Sequence, residues 1–214
     1  MTETVRDTIY TQKDGLPFVF DADVSRVFAD MIKRSVPGYG LTLQMIAEIA
    51  ALYTQENSKL YDLGCSLGAS TLAMADGIKA DGCQIIAVDN SQAMVSQCVN
   101  NVKQSQVPVS VVQGDIQDVD FEDASVVVLN FTLQFIAKEE RLALIEHIYA
   151  GMRKGGVLVL SEKVSFEDAF EQQQHIMLHE SFKKAQGYSE MEVSRKRQSI
   201  ENVLVPETIE AHHA

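Results

Sequence analysis

The chain has 214 residues, 46% apolar and 22% charged, enough for one hydrophobic core and too apolar for wholesale disorder. Its formal net charge of −12 repels phosphate backbones and anionic lipid at long range, which argues against a nucleic acid or a membrane surface as the main partner and suits a small cationic ligand. Three cysteines (Cys65, Cys83, Cys98) lack disulfide or metal-ligand spacing, Met1–Tyr10 has no apolar leader core, and no run reaches the roughly 18 apolar residues of a membrane span, so a cytoplasmic protein with free thiols is expected.

In chain order, residues 1–16 read as an irregular arm. From Asp21 to Arg34, Val24, Val27, Phe28 and Met31 recur at three- and four-residue steps and make one apolar helix face. Ser35-Val36-Pro37-Gly38-Tyr39-Gly40 breaks that helix, and a second carries Leu43, Met45, Ile46, Ile49 and Leu52 inward. Strands are then predicted at Lys59–Leu63, Cys83–Val88, Val109–Gln113, Ser125–Leu129 and Val157–Ser161. Helices fall between them at Ser70–Ile78, Ser91–Lys103 and Glu139–Met152, the last stopped by Lys154-Gly155-Gly156. This alternation builds βαβ units, and the continuous apolar runs fit parallel strands covered on both faces. Further helices are predicted over Phe166–Gln186, from Ser189 to about Val203 with Glu192 at the capping-box position, and from Pro206 onward. The expected fold is α/β with a mostly parallel sheet, helices on both faces, and extra helices at the N-terminus and after the fifth strand. The expected organisation is a single domain over 1–214, with a helical cap at about 17–40, a core at about 41–163 and a helical segment at about 164–205.

The polar residues with chemistry to offer stand at strand ends. Tyr61-Asp62-Leu63-Gly64-Cys65-Ser66-Leu67-Gly68 runs a strand into glycines, where the backbone can approach a ligand at the first βα turn. Read alone, the string also describes a tight turn without a ligand. Asp89 ends the second strand 89 − 64 = 25 residues after Gly64, near the spacing of an acid that takes ribose hydroxyls, and Ser91 is available to cap the next helix in its place. Asp115 ends the third strand, suited to accept from the exocyclic amine of an adenine with Ile116 against the ring. Asn130 ends the fourth and offers hydrogen bonds to an amino-acid moiety. Asp62, Asp89, Asp115 and Asn130 thus all lie at the carboxyl ends of strands, where open α/β sheets bind ligands. A dinucleotide would call for Gly-x-Gly-x-x-Gly, but Ser66 and Ala69 replace two of those glycines.

The order Asp-x-Gly-x-x-x-Gly, then Asp after the second strand and Gly-Asp after the third, is similar to class I S-adenosylmethionine-dependent methyltransferases over about residues 40–163. Ser66 departs from the glycine of many members. Five further strings extend the likeness from about 17 to 210: Lys33-Arg34-Ser35-Val36-Pro37-Gly38-Tyr39, the Tyr61–Gly68 turn, Leu129-Asn130-Phe131-Thr132-Leu133-Gln134-Phe135, Leu160-Ser161-Glu162-Lys163 and Gly187-Tyr188-Ser189-Glu190. They resemble the carboxy-S-adenosyl-L-methionine synthase family, which supplies the carboxymethyl donor for the wobble uridine (cmo5U) of bacterial tRNAs. The resemblance implies a Rossmann-like methyltransferase fold, S-adenosyl-L-methionine as co-substrate, no metal, and prephenate as the small-molecule carboxyl donor. Prephenate would lose its ring carboxyl on aromatising to phenylpyruvate, and the deprotonated, ylide-like methyl of the sulfonium would capture it to give carboxy-S-adenosyl-L-methionine. By family match, Tyr39, Gly64, Cys65, Ser66, Asp89, Asn90, Asp115, Ile116 and Asn130 would line the cofactor site. Arg197 would meet the new carboxylate, and Tyr39 and Arg197 are the catalytic candidates. Prephenate's leaving hydroxide or its carboxylate would serve as base, so no protein base is required, and neither direct nucleic-acid contact nor a membrane is expected.

Arg197 also has a reading of its own. A product with an added carboxylate needs a cation, and arginine grips carboxylates with two parallel bonds. The competing reading of Arg195-Lys196-Arg197 is a solvated helix face. Arg34 is a second candidate anchor for a dianion, and Tyr39 reads as either a lid residue or a packed turn tyrosine. His175 and His179 share a helix face at metal-binding spacing, but no acidic partner pattern accompanies them, and they read as packing residues. Cys65 reads as a small neighbour of the ligand rather than a nucleophile, and Met31, Met45, Met177 and Met191 as core or interface fillers.

Methyltransferase sheets usually close with two more strands after the fifth. No such pattern follows Ser161, so a C-terminal segment missing from this chain is expected. The helices between Phe166 and Val203 are too apolar to stand alone and are expected to cover the active-site mouth and build a homodimer, in which Arg197 is a candidate for acting across the subunit boundary. Two alternatives share the cofactor site: a methyltransferase acting on tRNA or a small molecule, against which the net charge counts for tRNA, and a non-catalytic accessory subunit that binds S-adenosyl-L-methionine.

Overall fold

Five apolar runs pair into one parallel sheet in the computed structural model: β1 (Lys59–Leu63), β2 (Gln84–Asp89), β3 (Val109–Gln113), β4 (Ala124–Asn130) and β5 (Met152–Ser161), in the order β3-β2-β1-β4-β5. The structure describes residues 5–11, 18–200 and 203–213. The chain divides into two units, one formed by Gly40–Ser161 and the other by Met1–Tyr39 together with Glu162–Ala214.

The sheet unit is built on alternation. Leu60, Ile85, Val126 and Val128 point to one face and pack with Ile46, Ala50 and Met74, from α2 (Tyr39–Tyr53) and α3 (Ala69–Gly77). Cys65, Ala87, Cys98 and Val102 continue that side beside α4 (Gln92–Asn101). Tyr61, Leu63, Val88, Val127 and Leu129 point to the other face and meet Leu144 and Ile148 of α5 (Lys138–Gly151). Burial on both faces explains why the strands read as unbroken apolar runs.

The other unit holds α1 (Ala22–Ser35), α6 (Ala169–Ala185), α7 (Glu190–Ile200) and α8 (Ile209–His213). Asp21 caps α1 by accepting the Val24 N–H at 2.9 Å, and Val24, Val27 and Met31 form its buried stripe. The capping box predicted at Ser189 is present: its Oγ accepts the Glu192 N–H at 3.2 Å, and the Glu192 carboxylate accepts the Ser189 N–H at 2.7 Å.

Several boundaries differ from the sequence reading. Lys154-Gly155-Gly156 is not a helix stop: α5 ends at Gly151, and β5 begins at Met152 and runs through the glycines. The β4–β5 register shifts there, where Gly155 takes a φ of +83°. Tyr39 opens α2 instead of lying in the break before it. Within the expected irregular arm, Ile9–Thr11 form a short 3-10 turn, and Asp7 and Tyr10 are buried. The rest of that call (1–4 and 12–16) and the helix end expected near Val203 (201–202) lie outside the described residues.

Candidate active site

The glycine turn after β1 is fixed by its own backbone. The N–H groups of Gly64 and Cys65 both donate to the Val88 carbonyl, at 2.8 and 2.9 Å, and Ser66 N–H donates to Asp89 Oδ2 at 2.9 Å. Gly64 has a φ of +77°, and a Cβ there would lie 2.5 Å from the Thr132 side chain, so two constraints demand glycine. Ser66, the departure from the family pattern, has a φ of +48°, left-handed backbone that glycine would adopt without strain. The Asp89 carboxylate holds it there.

Asp89 divides its oxygens: Oδ2 takes Ser66 N–H, and Oδ1 takes Ser91 N–H at 2.9 Å. Ser91 itself caps α4 by accepting the Met94 N–H at 3.3 Å, as expected from the sequence. Burial raises the Asp89 carboxyl above its usual range while the two N–H donors oppose that shift. Asn90 donates from Nδ2 to Asp115 Oδ1 at 3.0 Å and ties the loop after β2 to the loop after β3. Ile116 is only 7% exposed and belongs to the apolar cluster that also holds Val88 and Leu133.

Asn130 ends β4 and donates to Ser70 Oγ at 3.0 Å, at the first turn of α3. Its Oδ1 is buried and accepts nothing within the protein. A buried acceptor left open costs stability unless something fills it, and it marks where a donor belongs. Asp62 lies beneath the turn, bonded to the Thr71 hydroxyl, and burial pushes its carboxyl up to about 7. Cys65 Sγ lies 3.9 Å from Cys98 Sγ. The contact with Cys98 and burial push its thiol up, which keeps it neutral and a poor nucleophile. The structure thus brings Gly64, Cys65, Ser66, Asp89, Asn90, Asp115 and Asn130 to the carboxyl ends of β1 to β4 within the sheet unit. The sequence reading missed Ser70, Thr71 and Thr132, which fix this rim. The Ser-Thr pair just after Gly68 was a usable signal, whereas Thr132 had none.

Tyr39 and Arg197 belong to the other unit. Tyr39 is half-buried. Arg197 lies on α7 and pairs with Glu180 Oε1 at 3.1 Å, half its side chain still exposed. Its neighbours in the basic triplet do different work. Arg195 donates to the carbonyls of Tyr10 and Thr11, and Lys196 is buried and donates to Ser35 Oγ at 2.7 Å. Arg34 is not an available anion anchor: it donates to Asp30 and to the carbonyls of Gln186 and Asp7, and it stacks 3.9 Å over the Tyr188 ring. His175 stacks on Phe166 and His179 bonds the Ser35 carbonyl at 2.7 Å. Of the four methionines singled out, Met31 is core, while Met45, Met177 and Met191 are exposed. No group of three or more metal-ligating side chains occurs among the described residues.

A parallel β3-β2-β1-β4-β5 sheet with a glycine turn and strand-end acids defines the S-adenosyl-L-methionine-dependent methyltransferase class, and residues 60–156 match the family model described as a methyltransferase domain. Solved structures of that fold include the S-adenosyl-L-methionine-bound amino pentose methyltransferase of Micromonospora echinaspora (TM-score 0.53, 19% identity, 73% of this chain and 61% of that one). The cyclopropane synthase of Mycobacterium tuberculosis is also similar (TM-score 0.59, 12% identity, 81% and 57%). The carboxy-S-adenosyl-L-methionine synthase of Aliivibrio fischeri (strain MJ11) is 55% identical over 96% of this chain and 87% of the relative. That of Vibrio cholerae serotype O1 (strain M66-2) is 55% identical over 97% and 86%. The chain belongs to the carboxy-S-adenosyl-L-methionine synthase family.

Proposed function

We propose that this enzyme moves the carboxyl group of prephenate onto the methyl carbon of S-adenosyl-L-methionine, giving carboxy-S-adenosyl-L-methionine and phenylpyruvate. The observation that carries the reading is 55% identity to synthases of that name along nearly the whole chain.

The rim residues fit the co-substrate chemically. Asp89 spends one lone pair of each oxygen on a backbone N–H and keeps the others for ribose hydroxyls. Asp115, steadied by Asn90, accepts from the adenine amine, with Ile116 below it. The open Oδ1 of Asn130 takes the α-ammonium. Gly64 and Ser66 let the chain approach the ligand, and Cys65 fills space beside it. The acidic side chains of the rim suit a sulfonium cation. Tyr39 closes over the ligand, and the half-exposed Arg197 grips the carboxylate that the product gains.

In the transfer, the carbon–carbon bond from the prephenate ring to its carboxyl breaks and a bond from that carboxyl to the methyl carbon forms. The methyl proton and the ring hydroxide leave together as water, so the donor's own leaving group removes the proton. The product serves wobble-uridine modification of tRNA, made by a cytoplasmic homodimer that does not itself touch RNA. Exposed Phe170, Met177 and Leu178 on α6 support the dimer. No helix among the described residues is long and apolar enough to cross a membrane, and the charge of −12 supports the absence of RNA contact. Incubation with methyl-labelled S-adenosyl-L-methionine and prephenate, followed by mass spectrometry, is the test. A sulfonium product heavier by one carboxyl group is expected, and recovery of unaltered co-substrate would reject the reading.

A further inference from the structure

The glycine turn carries a pair of sulfurs that the carboxyl transfer does not use. Cys65 stands in the turn, Cys98 lies on α4, and both belong to the sheet unit. Their Sγ atoms are 3.9 Å apart, and both side chains are buried in one small apolar cluster with Ala87 and Val102. The turn and α4 also touch beyond the sulfurs. Asn101 Nδ2 donates to the Leu67 carbonyl at 2.9 Å, and a Cβ on Gly68 would lie 2.9 Å from Cys98 Sγ. Gly68 N–H donates to the Cys65 carbonyl at 2.7 Å, so Cys98 lies against both ends of the same turn. Cys83, the third cysteine, is engaged elsewhere, its thiol donating to the carbonyls of Gln55 and Asp81. A disulfide needs its sulfurs about 2.0 Å apart, so each side chain would have to move by about 1 Å in a close-packed cluster. The turn feels that movement. Cys65 N–H is fixed to the Val88 carbonyl at 2.9 Å, and Ser66, next in the chain, is held in left-handed backbone by the Asp89 carboxylate.

We propose that Cys65 and Cys98 are an oxidation site for a small hydroperoxide, and that their disulfide distorts the glycine turn and releases S-adenosyl-L-methionine. The second half of this rests on the strand-end reading of the cofactor site above. Cys65 reacts first, because it adjoins the half-exposed Ser66 while Cys98 is fully buried. Its sulfur gives up a proton and attacks one oxygen of hydrogen peroxide. The O–O bond breaks, leaving a sulfenic acid and one water. The Cys98 sulfur then displaces the sulfenic hydroxyl, which leaves with the Cys98 proton as a second water. Two thiols are oxidised by two electrons in all, and one peroxide is reduced to two waters. Burial and the contact with Cys98 keep the Cys65 thiol neutral, so attack is slow while the turn is closed and faster when it opens. A seated cofactor holds the turn closed and protects the pair. A dithiol reductant reverses the step by exchange.

The test treats the full chain with hydrogen peroxide, with and without saturating S-adenosyl-L-methionine, and follows it by non-reducing peptide mass spectrometry and calorimetry. Without the ligand, a linked Cys65–Cys98 peptide lighter by two hydrogen atoms is expected. S-adenosyl-L-methionine affinity should then be down roughly tenfold with the circular dichroism spectrum retained, and dithiothreitol should undo both changes. With the ligand bound, linking is expected to slow roughly fivefold or more. Cys98→Ala is expected to bind the ligand as wild type does before treatment, and afterwards to carry a dimedone-reactive sulfenic acid at Cys65 and no link. Absence of the Cys65–Cys98 link overturns the proposal, as do links to Cys83 in its place and equal rates with and without bound ligand. A linked protein whose affinity is within twofold of the reduced form overturns it too. Failure of the reduced wild type to bind S-adenosyl-L-methionine rejects the cofactor-site reading instead, because the peptide masses decide the sulfur pair without it. Should Cys98→Ala fold poorly, the wild-type peptides and their reversal by dithiothreitol carry the decision.

Discussion

The two units of this chain solve the problem of an interior in opposite ways. In Gly40–Ser161 the centre is apolar: Leu60, Tyr61, Leu63, Ile85 and Val126–Leu129 are fully buried, and the candidate site residues collect at one rim. In the other unit the centre is polar. Asp7, Arg34, Ser35 and Lys196 are buried together around Tyr188, whose hydroxyl donates to Asp7 Oδ2 at 2.7 Å and whose ring centroid is 3.9 Å from the Arg34 guanidinium and 5.5 Å from the Lys196 ammonium. Apolar burial is non-directional, so it tolerates substitution and leaves a sheet's rim free for chemistry. A buried ionic network is directional, and removing one member strands the rest. The first unit should therefore be robust at its rim and the second brittle at its centre.

The sharpest way to break that contrast is Arg34→Met. Asp30 and the carbonyls of Asp7 and Gln186 would lose their donor, and Tyr188 its stacked cation, for an expected loss of about 3–5 kcal/mol in chemical denaturation. Arg197→Met, on the exposed side of α7, should cost less than about 0.5 kcal/mol. Equal losses from the two would end the distinction. Gly64→Ala comes next, because the one intolerant point of the sheet rim is where backbone, not side chain, is specified. Its positive φ and the Thr132 clash together predict about 2–3 kcal/mol lost and S-adenosyl-L-methionine binding abolished in a thermal-shift titration. Adding Thr132→Gly should recover the steric part and leave the φ penalty of roughly 1 kcal/mol.

The same contrast decides what the sequence revealed. Apolar runs flanked by glycines and acids marked the five strands and put Asp89, Asp115 and Asn130 at their ends, because periodicity and strand-end position are local properties. The start of β5 was misjudged, since Lys154-Gly155-Gly156 reads as a stop and only pairing with β4 carries the strand through it. Arg34 looked like a free cation for a dianion, and nothing local announced Asp7, Gln186 and Tyr188, its partners from distant parts of the chain. The triplet Arg195-Lys196-Arg197 is uniform in sequence and divided in space: two members are structural and the third is presented to solvent. Ionic networks are long-range pairings, and one sequence does not print the pairs.

Asp62 is the exception in the apolar unit, a fully buried carboxyl under the glycine turn. Burial raises it to about 7 from an unfolded value near 3.8, so between those values the folded state holds a proton that the unfolded state has lost. Stability is then greatest below about pH 4 on this account and falls as pH rises from there through 7, by on the order of 4 kcal/mol, with Asp89 adding in the same direction. Asp62→Asn keeps a partner for Thr71 and removes that fall, so the ligand-free variant should gain on wild type from pH 5 to pH 8. Parallel stability curves for the two proteins across that range would show that Asp62 does not carry the proton.

The smallest effect on folding is expected where the effect on binding is large. Asn130 makes one hydrogen bond to Ser70 and leaves a buried oxygen open, so truncation to Ala removes a favourable contact and an unsatisfied acceptor together. These terms offset, and ligand-free stability should change by less than about 1 kcal/mol. If the open oxygen is where the α-ammonium of S-adenosyl-L-methionine lands, affinity should still drop roughly tenfold, the worth of a charge-assisted hydrogen bond in a dry site. Calorimetry and thermal melting on the same preparation separate the two quantities. An Asn130→Ala protein that binds as tightly as wild type would mean that the rim atom is a packing defect, and the reading of the strand ends as a cofactor cradle would lose its most specific contact.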